Sequence, residues 1–96
     1  MSAYIVMRIQ VSDPSKLKSY QEVAPSIIEK YNGKLKVRGG EVVSLEGPNE
    51  ERRIVMVEFP SIEDAKKFYY SEEYENAIKL RSDIADFEMI AVDGID

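Results

Sequence analysis

Four segments with strand patterning and two with helical patterning, in the order β-α-β-β-α-β, predict an α+β chain in the ferredoxin-like, split βαβ arrangement. Right-handed crossovers then place two helices on one face of a four-stranded antiparallel sheet. A third observation qualifies the first two. The strands carry large apolar residues on both faces, and the helices can cover only one. In Ala3–Val11 one face reads Ala3, Ile5, Met7, Ile9 and Val11, and the other reads Tyr4, Val6, Arg8 and Gln10. Strand side chains alternate, so both faces need partners. Soluble monomers avoid a bare apolar sheet. A second copy packed sheet to sheet is the expected cover, with a pocket between the sheets. An interface of that kind buries on the order of 1,600 Å².

Ala3–Val11 is the first strand, rich in Ile, Val and Met. Asp13 caps the following helix and Pro14 suits its first position. Leu17, Tyr20, Ala24, Ile27, Ile28 and Tyr31 form one apolar stripe at helical spacing. Pro25 lies inside that helix and should kink it or divide it in two. Asn32-Gly33 closes it with a left-handed cap. Leu35–Leu45 reads as the second strand, with Gly39-Gly40 marking a bulge or a close backbone approach. Glu46-Gly47-Pro48-Asn49 turns the chain into a third strand, Arg53–Phe59, which Pro60 stops.

Ser61-Ile62-Glu63-Asp64 has the form of a capping box, with Asp64 in place of the commoner Glu. Ala65, Phe68 and Tyr69 supply the apolar side of the helix it opens. Ser71 breaks the pattern and caps a second piece, Glu72–Ser82, with Tyr74, Ala77, Ile78 and Arg81 along one side. Phe87–Val92 is the last strand. No linker or repeat interrupts the chain, so one domain over residues 1–96 is expected.

Composition narrows the chemistry. The 96 residues contain no Cys, His or Trp. Disulfides, thiolate or imidazole metal sites, Cys or His catalysis and the usual proximal haem ligands are excluded. No metal and no cofactor is expected, and any chemistry falls to carboxylates, Tyr, Lys, Arg or the backbone. The net charge of −5 argues against a nucleic-acid partner. No apolar run approaches a membrane span, and Met1-Ser2-Ala3-Tyr4 leads straight into a strand without a signal pattern. A cytoplasmic protein is the expectation.

The residues in order also resemble a known family. The resemblance runs from Tyr4-Ile5-Val6 through Asp13-Pro14, Tyr20 and Tyr31-Asn32-Gly33 to Val37-Arg38-Gly39-Gly40. It continues through Glu46-Gly47, Arg53 and Glu58-Phe59-Pro60-Ser61. It closes on Ala65-Lys66-Lys67-Phe68-Tyr69-Tyr70-Ser71-Glu72-Glu73-Tyr74 and Arg81. This is similar to the domain-of-unknown-function 1330 family of the dimeric α/β-barrel superfamily. The resemblance implies a homodimer whose two sheets form a barrel, and it implies no reaction. The wider superfamily includes small monooxygenases acting on polyketides and haem-degrading enzymes. The haem-degrading pattern needs a His that this chain lacks.

The candidate ligand-binding residues are Arg38, Gly39, Gly40, Tyr70, Ser71, Tyr74 and Arg81. Arg38 offers a bidentate fork for a carboxylate or phosphate, and the glycines admit a close approach. The plainer reading is a strand bulge whose Arg pairs with a Glu. Arg81, on the apolar side of its helix, is either an anion anchor or one half of a salt bridge to Glu41 or Glu46. Tyr70, Ser71 and Tyr74 stand at a helix break, whose free N–H groups can receive an anion. The plainer reading there is capping and packing. Glu58 faces away from Val57 and Phe59, either as a buried base or in a salt bridge with Arg8. Two functions follow: a binding or catalytic barrel for a small organic anion, or an interaction module that uses the barrel only to dimerise.

Overall fold

The computed structural model describes residues 2–95; Met1 and Asp96, the outermost residues of the expected domain, lie outside them. Strands β1 (Ala3–Val11), β2 (Lys34–Arg38), β3 (Arg53–Phe59) and β4 (Ala85–Asp93) form one sheet in the order β2-β3-β1-β4. Every pairing is antiparallel. Met7 lies opposite Val55 on one side and Met89 on the other. The odd-numbered residues of these three strands therefore share a face. Ile5, Met7, Ile9, Val55, Val57 and Phe59 on that face are buried. Helices α1 (Lys18–Lys30), α2 (Ile62–Tyr69) and α3 (Glu72–Lys79) all join the same core, through Tyr20, Ala24 and Ile28, Ala65 and Phe68, and Tyr74 and Ala77.

The second helical segment is broken into α2 and α3 at Ser71, as its sequence indicates. The Ser71 hydroxyl donates to the Phe68 carbonyl at 2.7 Å and accepts from the Tyr74 N–H at 3.1 Å. One side chain thus closes α2 and opens α3. The capping box also forms: Ser61 accepts from the Asp64 N–H at 3.1 Å. α3 ends at Lys79, three residues before the expected Ser82.

The first helical segment differs in two ways. Asp13 accepts from the Ser15 N–H, but the turn it caps is a short 3-10 helix, Pro14–Leu17, and α1 begins at Lys18. Pro25 does not divide α1, because buried Tyr20, Ala24 and Ile28 hold the helix to the sheet on both sides of it. At the far end Asn32 takes the left-handed position, with φ 69. The Asn32 and Gly33 N–H groups donate to the Glu29 and Ile28 carbonyls at 3.0 and 2.9 Å, a Schellman closure. Gly33 serves a different need. A Cβ there would sit 2.7 Å from Ile28 and 2.8 Å from Phe59.

β2 is shorter than its β-forming sequence, ending at Arg38 instead of Leu45. The bulge falls at Lys36, between Leu35 and Val37, and not at the glycine pair. Gly39, at φ +70, turns the chain out of the ladder. Beyond it no strand lies alongside to pair with the chain, and Val43 and Leu45 are 66% and 91% exposed. β4 is longer than expected, because β1 pairs with it from Ala3 opposite Asp93 to Val11 opposite Ala85.

The even-numbered face carries no helix. Tyr4, Val6, Ile54 and Met56 are half-buried, and Ile90 is 56% exposed. Charges flank this apolar band. Arg8 meets Glu50 at 3.3 Å, Arg52 grips Glu50 at 2.8 and 2.9 Å, and Arg52 also meets Glu88 at 3.0 Å. Glu58 accepts from the Tyr4 hydroxyl at 3.1 Å and lies 3.8 Å from Lys36. The expected Glu58–Arg8 pair does not form. Glu58 lies opposite Tyr4, and Arg8 is four residues further along β1, roughly 13 Å at strand rise. No helix among the described residues is long and apolar enough to cross a membrane.

Two outcomes test these devices. Ser71→Ala should lower the unfolding free energy by about 1–2 kcal/mol in denaturant titration, since it leaves helix-end groups unsatisfied. The Arg52 side chain, helped by its own backbone N–H, holds the Glu50 carboxyl at about 2, below the ordinary 4.5. A depressed carboxyl contributes stability above its unfolded value and loses it as pH falls toward its folded value. Glu50→Gln should therefore melt below the parent at neutral pH, with the gap closing between pH 4.5 and about 2.

Candidate functional site

Arg81 follows α3 on a tight turn. Its N–H donates to the Ile78 carbonyl at 3.0 Å, and its carbonyl accepts from Ala85 at 3.1 Å. This turn returns the chain toward β4 and lays the Arg81 side chain between helices and sheet, where the residue is only 7% exposed. The guanidinium lies 3.7 Å from the ring centre of Phe87, with Tyr20 and Tyr74 at 5.4 and 5.8 Å. One terminal N–H reaches the Tyr74 hydroxyl at 3.3 Å. The Arg81 Nε is buried and has no hydrogen-bond partner. Among the described residues no carboxylate pairs with it. Glu41 and Glu46, the partners considered from sequence, are exposed on the β2–β3 connection.

A buried cation without an anion is costly. The rings offset part of that cost, at roughly 0.5–2 kcal/mol for each good cation–π contact. They leave Nε with nothing to donate to. Arg81 lines a half-open cleft of about 430 Å³ between α2 and β4, with Lys66, Tyr69, Tyr70, Phe87 and Met89. Two cations and no carboxylate face this space. The arrangement suits an anion with an apolar or aromatic body.

Behind the guanidinium lies a hydroxyl pair. Tyr20 and Tyr74 share a hydrogen bond of 2.6 Å, and both residues are buried. Burial pushes the Tyr20 hydroxyl well above its ordinary value, and Tyr74 adds to the shift while Arg81 opposes it. The phenol therefore stays neutral and serves as a fixed dipole that holds Tyr74 in place for Arg81.

The seven candidate residues fall in different places. Tyr70 and Arg81 share the α2–β4 cleft, with Tyr70 at its rim and 78% exposed. Tyr74 stands in the core directly behind Arg81. Ser71 is buried, and its hydroxyl is engaged at the helix junction. Arg38 lines a separate cleft beneath α1. Gly39 and Gly40 border a depression beside Glu50 and Arg52. The structure adds Lys66, Tyr69, Phe87 and Met89 to the Arg81 cleft. Phe87 and Met89 carry a readable signal, being the odd-numbered, inward residues of the last strand. Lys66 is one of two adjacent helical lysines, and nothing local distinguishes it.

The family described as Domain of unknown function (DUF1330) matches residues 2–95. The chain belongs to this family. No curated protein matches it. Solved structures share the fold at low identity. A protein of unknown function from Rhodopseudomonas palustris is 18% identical with a TM-score of 0.74, covering 99% of this chain and 83% of its own. SnoaB, a cofactor-independent oxygenase from Streptomyces nogalater, is 8% identical with a TM-score of 0.72, covering 99% and 94%. A dimeric protein of unknown function and ferredoxin-like fold from Bacteroides fragilis is 13% identical with a TM-score of 0.66, covering 97% and 96%. This DUF1330 chain is thus an α+β protein of ferredoxin-like fold.

Tyr74→Phe tests the hydroxyl pair. It leaves Tyr20 and Arg81 each one partner short, so unfolding free energy should fall by about 1–3 kcal/mol. Adding Tyr20→Phe should cost less than the sum of the two single changes, measured as a double-mutant cycle.

Proposed function

We propose that this DUF1330 protein binds a small organic anion in the Arg81 cleft and works as a homodimer whose sheets meet through their even-numbered faces. The observation that carries the first half is the buried, unpartnered Nε of Arg81 at a cleft whose charged lining residues, among the described ones, are Arg81 and Lys66, the latter 3.7 Å from Glu63. An anion entering there meets a guanidinium that is already desolvated and held by three rings. Charge-assisted bonds formed in such a place are strong. Any chemistry on the bound anion would use proton transfer or cofactor-free oxidation, with Tyr and Lys side chains at hand. The structural likeness to a cofactor-independent oxygenase is in keeping with that range.

Support for the second half is the uncovered apolar band of Val6, Met56, Ile90 and Val92. A fold neighbour from Bacteroides fragilis is described as dimeric. The other reading, a dimerisation module without a ligand, draws on the aromatic surroundings of Arg81, which give it a structural role of its own.

Native mass spectrometry on freshly purified protein, beside Arg81→Met, tests the proposal. The expected result is a dimer carrying extra small-molecule mass that Arg81→Met lacks. The variant should be no less stable than the ligand-free parent, since an apolar side chain of similar length replaces a buried charge. A clean dimer in both would favour the module. A monomer would remove the sheet-to-sheet assembly.

A further inference from the structure

A second cleft, of about 360 Å³, lies beneath α1 on the β2–β3 side of the sheet, and Arg38 and Arg53 both line it. Its floor is apolar, formed by Met7, Ile9, Leu17 and Val55. The two arginines come from neighbouring strands. Arg38 lies opposite Val55, and Arg53 lies two residues before Val55, so both stand on the helix side of the sheet. Neither has an ion-pair partner among the described residues, although Glu and Asp are plentiful in this chain. The other strand-borne arginine, Arg8, has one.

Gly39 explains how Arg53 is held. A Cβ at that position would stand 2.6 Å from the Arg53 Cζ and 2.8 Å from a terminal nitrogen. The Arg53 guanidinium therefore lies against the backbone of Gly39, next in sequence to Arg38. Any residue with a Cβ would push it off, and φ +70 disfavours one in any case. The close approach that the Arg38-Gly39 pair permits is made by the protein's own guanidinium. Arg38 and Arg53 line one cleft with no carboxylate in its lining, and a planar fork suits a carboxylate. The cleft has one further polar feature. Pro25 has no N–H, so the Gln21 carbonyl lacks its usual donor four residues on, and both residues line the same space.

We infer that this cleft is a second site, separate from the Arg81 cleft, for a carboxylic acid with an apolar tail. The carboxylate sits between Arg38 and Arg53, and the tail lies on the floor under α1. The volume falls within the range of small-molecule pockets.

Isothermal titration with octanoate, octanol and acetate tests this on the parent, on Arg38→Ala/Arg53→Ala and on Arg81→Met. Both arginines are exposed, so the double variant keeps its core, and circular dichroism checks that it does. Octanoate should bind the parent, with octanol and acetate each far weaker. Its affinity should fall about tenfold or more for each guanidinium removed and stay unchanged in Arg81→Met. Octanol binding as tightly as octanoate would overturn the inference, as would an unchanged affinity in the double variant or no binding by the parent. Loss confined to Arg81→Met would place the acid in the other cleft, ending this inference while leaving the Arg81 proposal intact.

Discussion

The whole arrangement depends on the alternation of β1 between two strands. β1 pairs with β3 on one side and β4 on the other, so its odd-numbered residues set the core face for three strands at once. A slip of one residue would exchange that face with the other. The odd face reads Ala3, Ile5, Met7 and Ile9, all nearly without exposure. The even face bears Arg8 with its ion pair to Glu50 and Tyr4 with Glu58, which a helix layer could not bury without loss. The same alternation that places three helices on one side leaves the other side without a helix among the described residues.

On the helix side, one break in the sequence has consequences well beyond its own turn. Ser71 ends α2 and starts α3, and this redirects the chain so that Tyr74 enters the core. Tyr74 then fixes Tyr20 from α1 and receives Arg81 from the turn after α3. Phe68, Tyr74, Tyr20 and Phe87 form a continuous aromatic series, with ring centres 4.4 to 6.2 Å apart. A further tie crosses the surface, where Glu73 on α3 accepts from Lys30 and from Tyr31 at the end of α1. The Lys30 side chain, with help from the Glu73 backbone and Tyr31, holds that carboxyl at about 2. Arg81 is buried in the midst of this packing.

Two clefts at opposite flanks of the core share one electrostatic trait. Each presents guanidinium groups that no carboxylate of the described residues neutralises, in a protein whose net charge is −5. Several acidic residues are engaged elsewhere: Glu50 and Glu88 on the even face, Glu73 across the helices, Glu63 with Lys66, and Glu58 with Tyr4 and Lys36. Separation of this kind concentrates positive potential in concave places while the outer surface stays acidic.

Elements with a strong local cause were legible in the residues. β1 and β3 have the bounds their period-two pattern indicates, and Ser61, Ser71 and Asn32 act at the helix ends where their side chains suit capping. Arg81 is buried, as its place on the apolar side of the sequence pattern indicates, but from the turn after α3 and not from the helix itself. What local pattern could not settle was decided by neighbours. Leu35–Leu45 has strand-forming residues on both sides of Gly39-Gly40, yet only Lys34–Arg38 is paired, because a strand exists only where another lies alongside. Pro25 is expected to kink or divide α1; α1 is not divided, and buried contacts lie on both sides of the proline. The distribution of Arg38 and Arg81 into separate clefts, and the identity of every ion-pair partner, belong to the tertiary structure. Sequence determines which side chains share a face, since periodicity is local; which faces and charges meet depends on how distant segments are brought together in space.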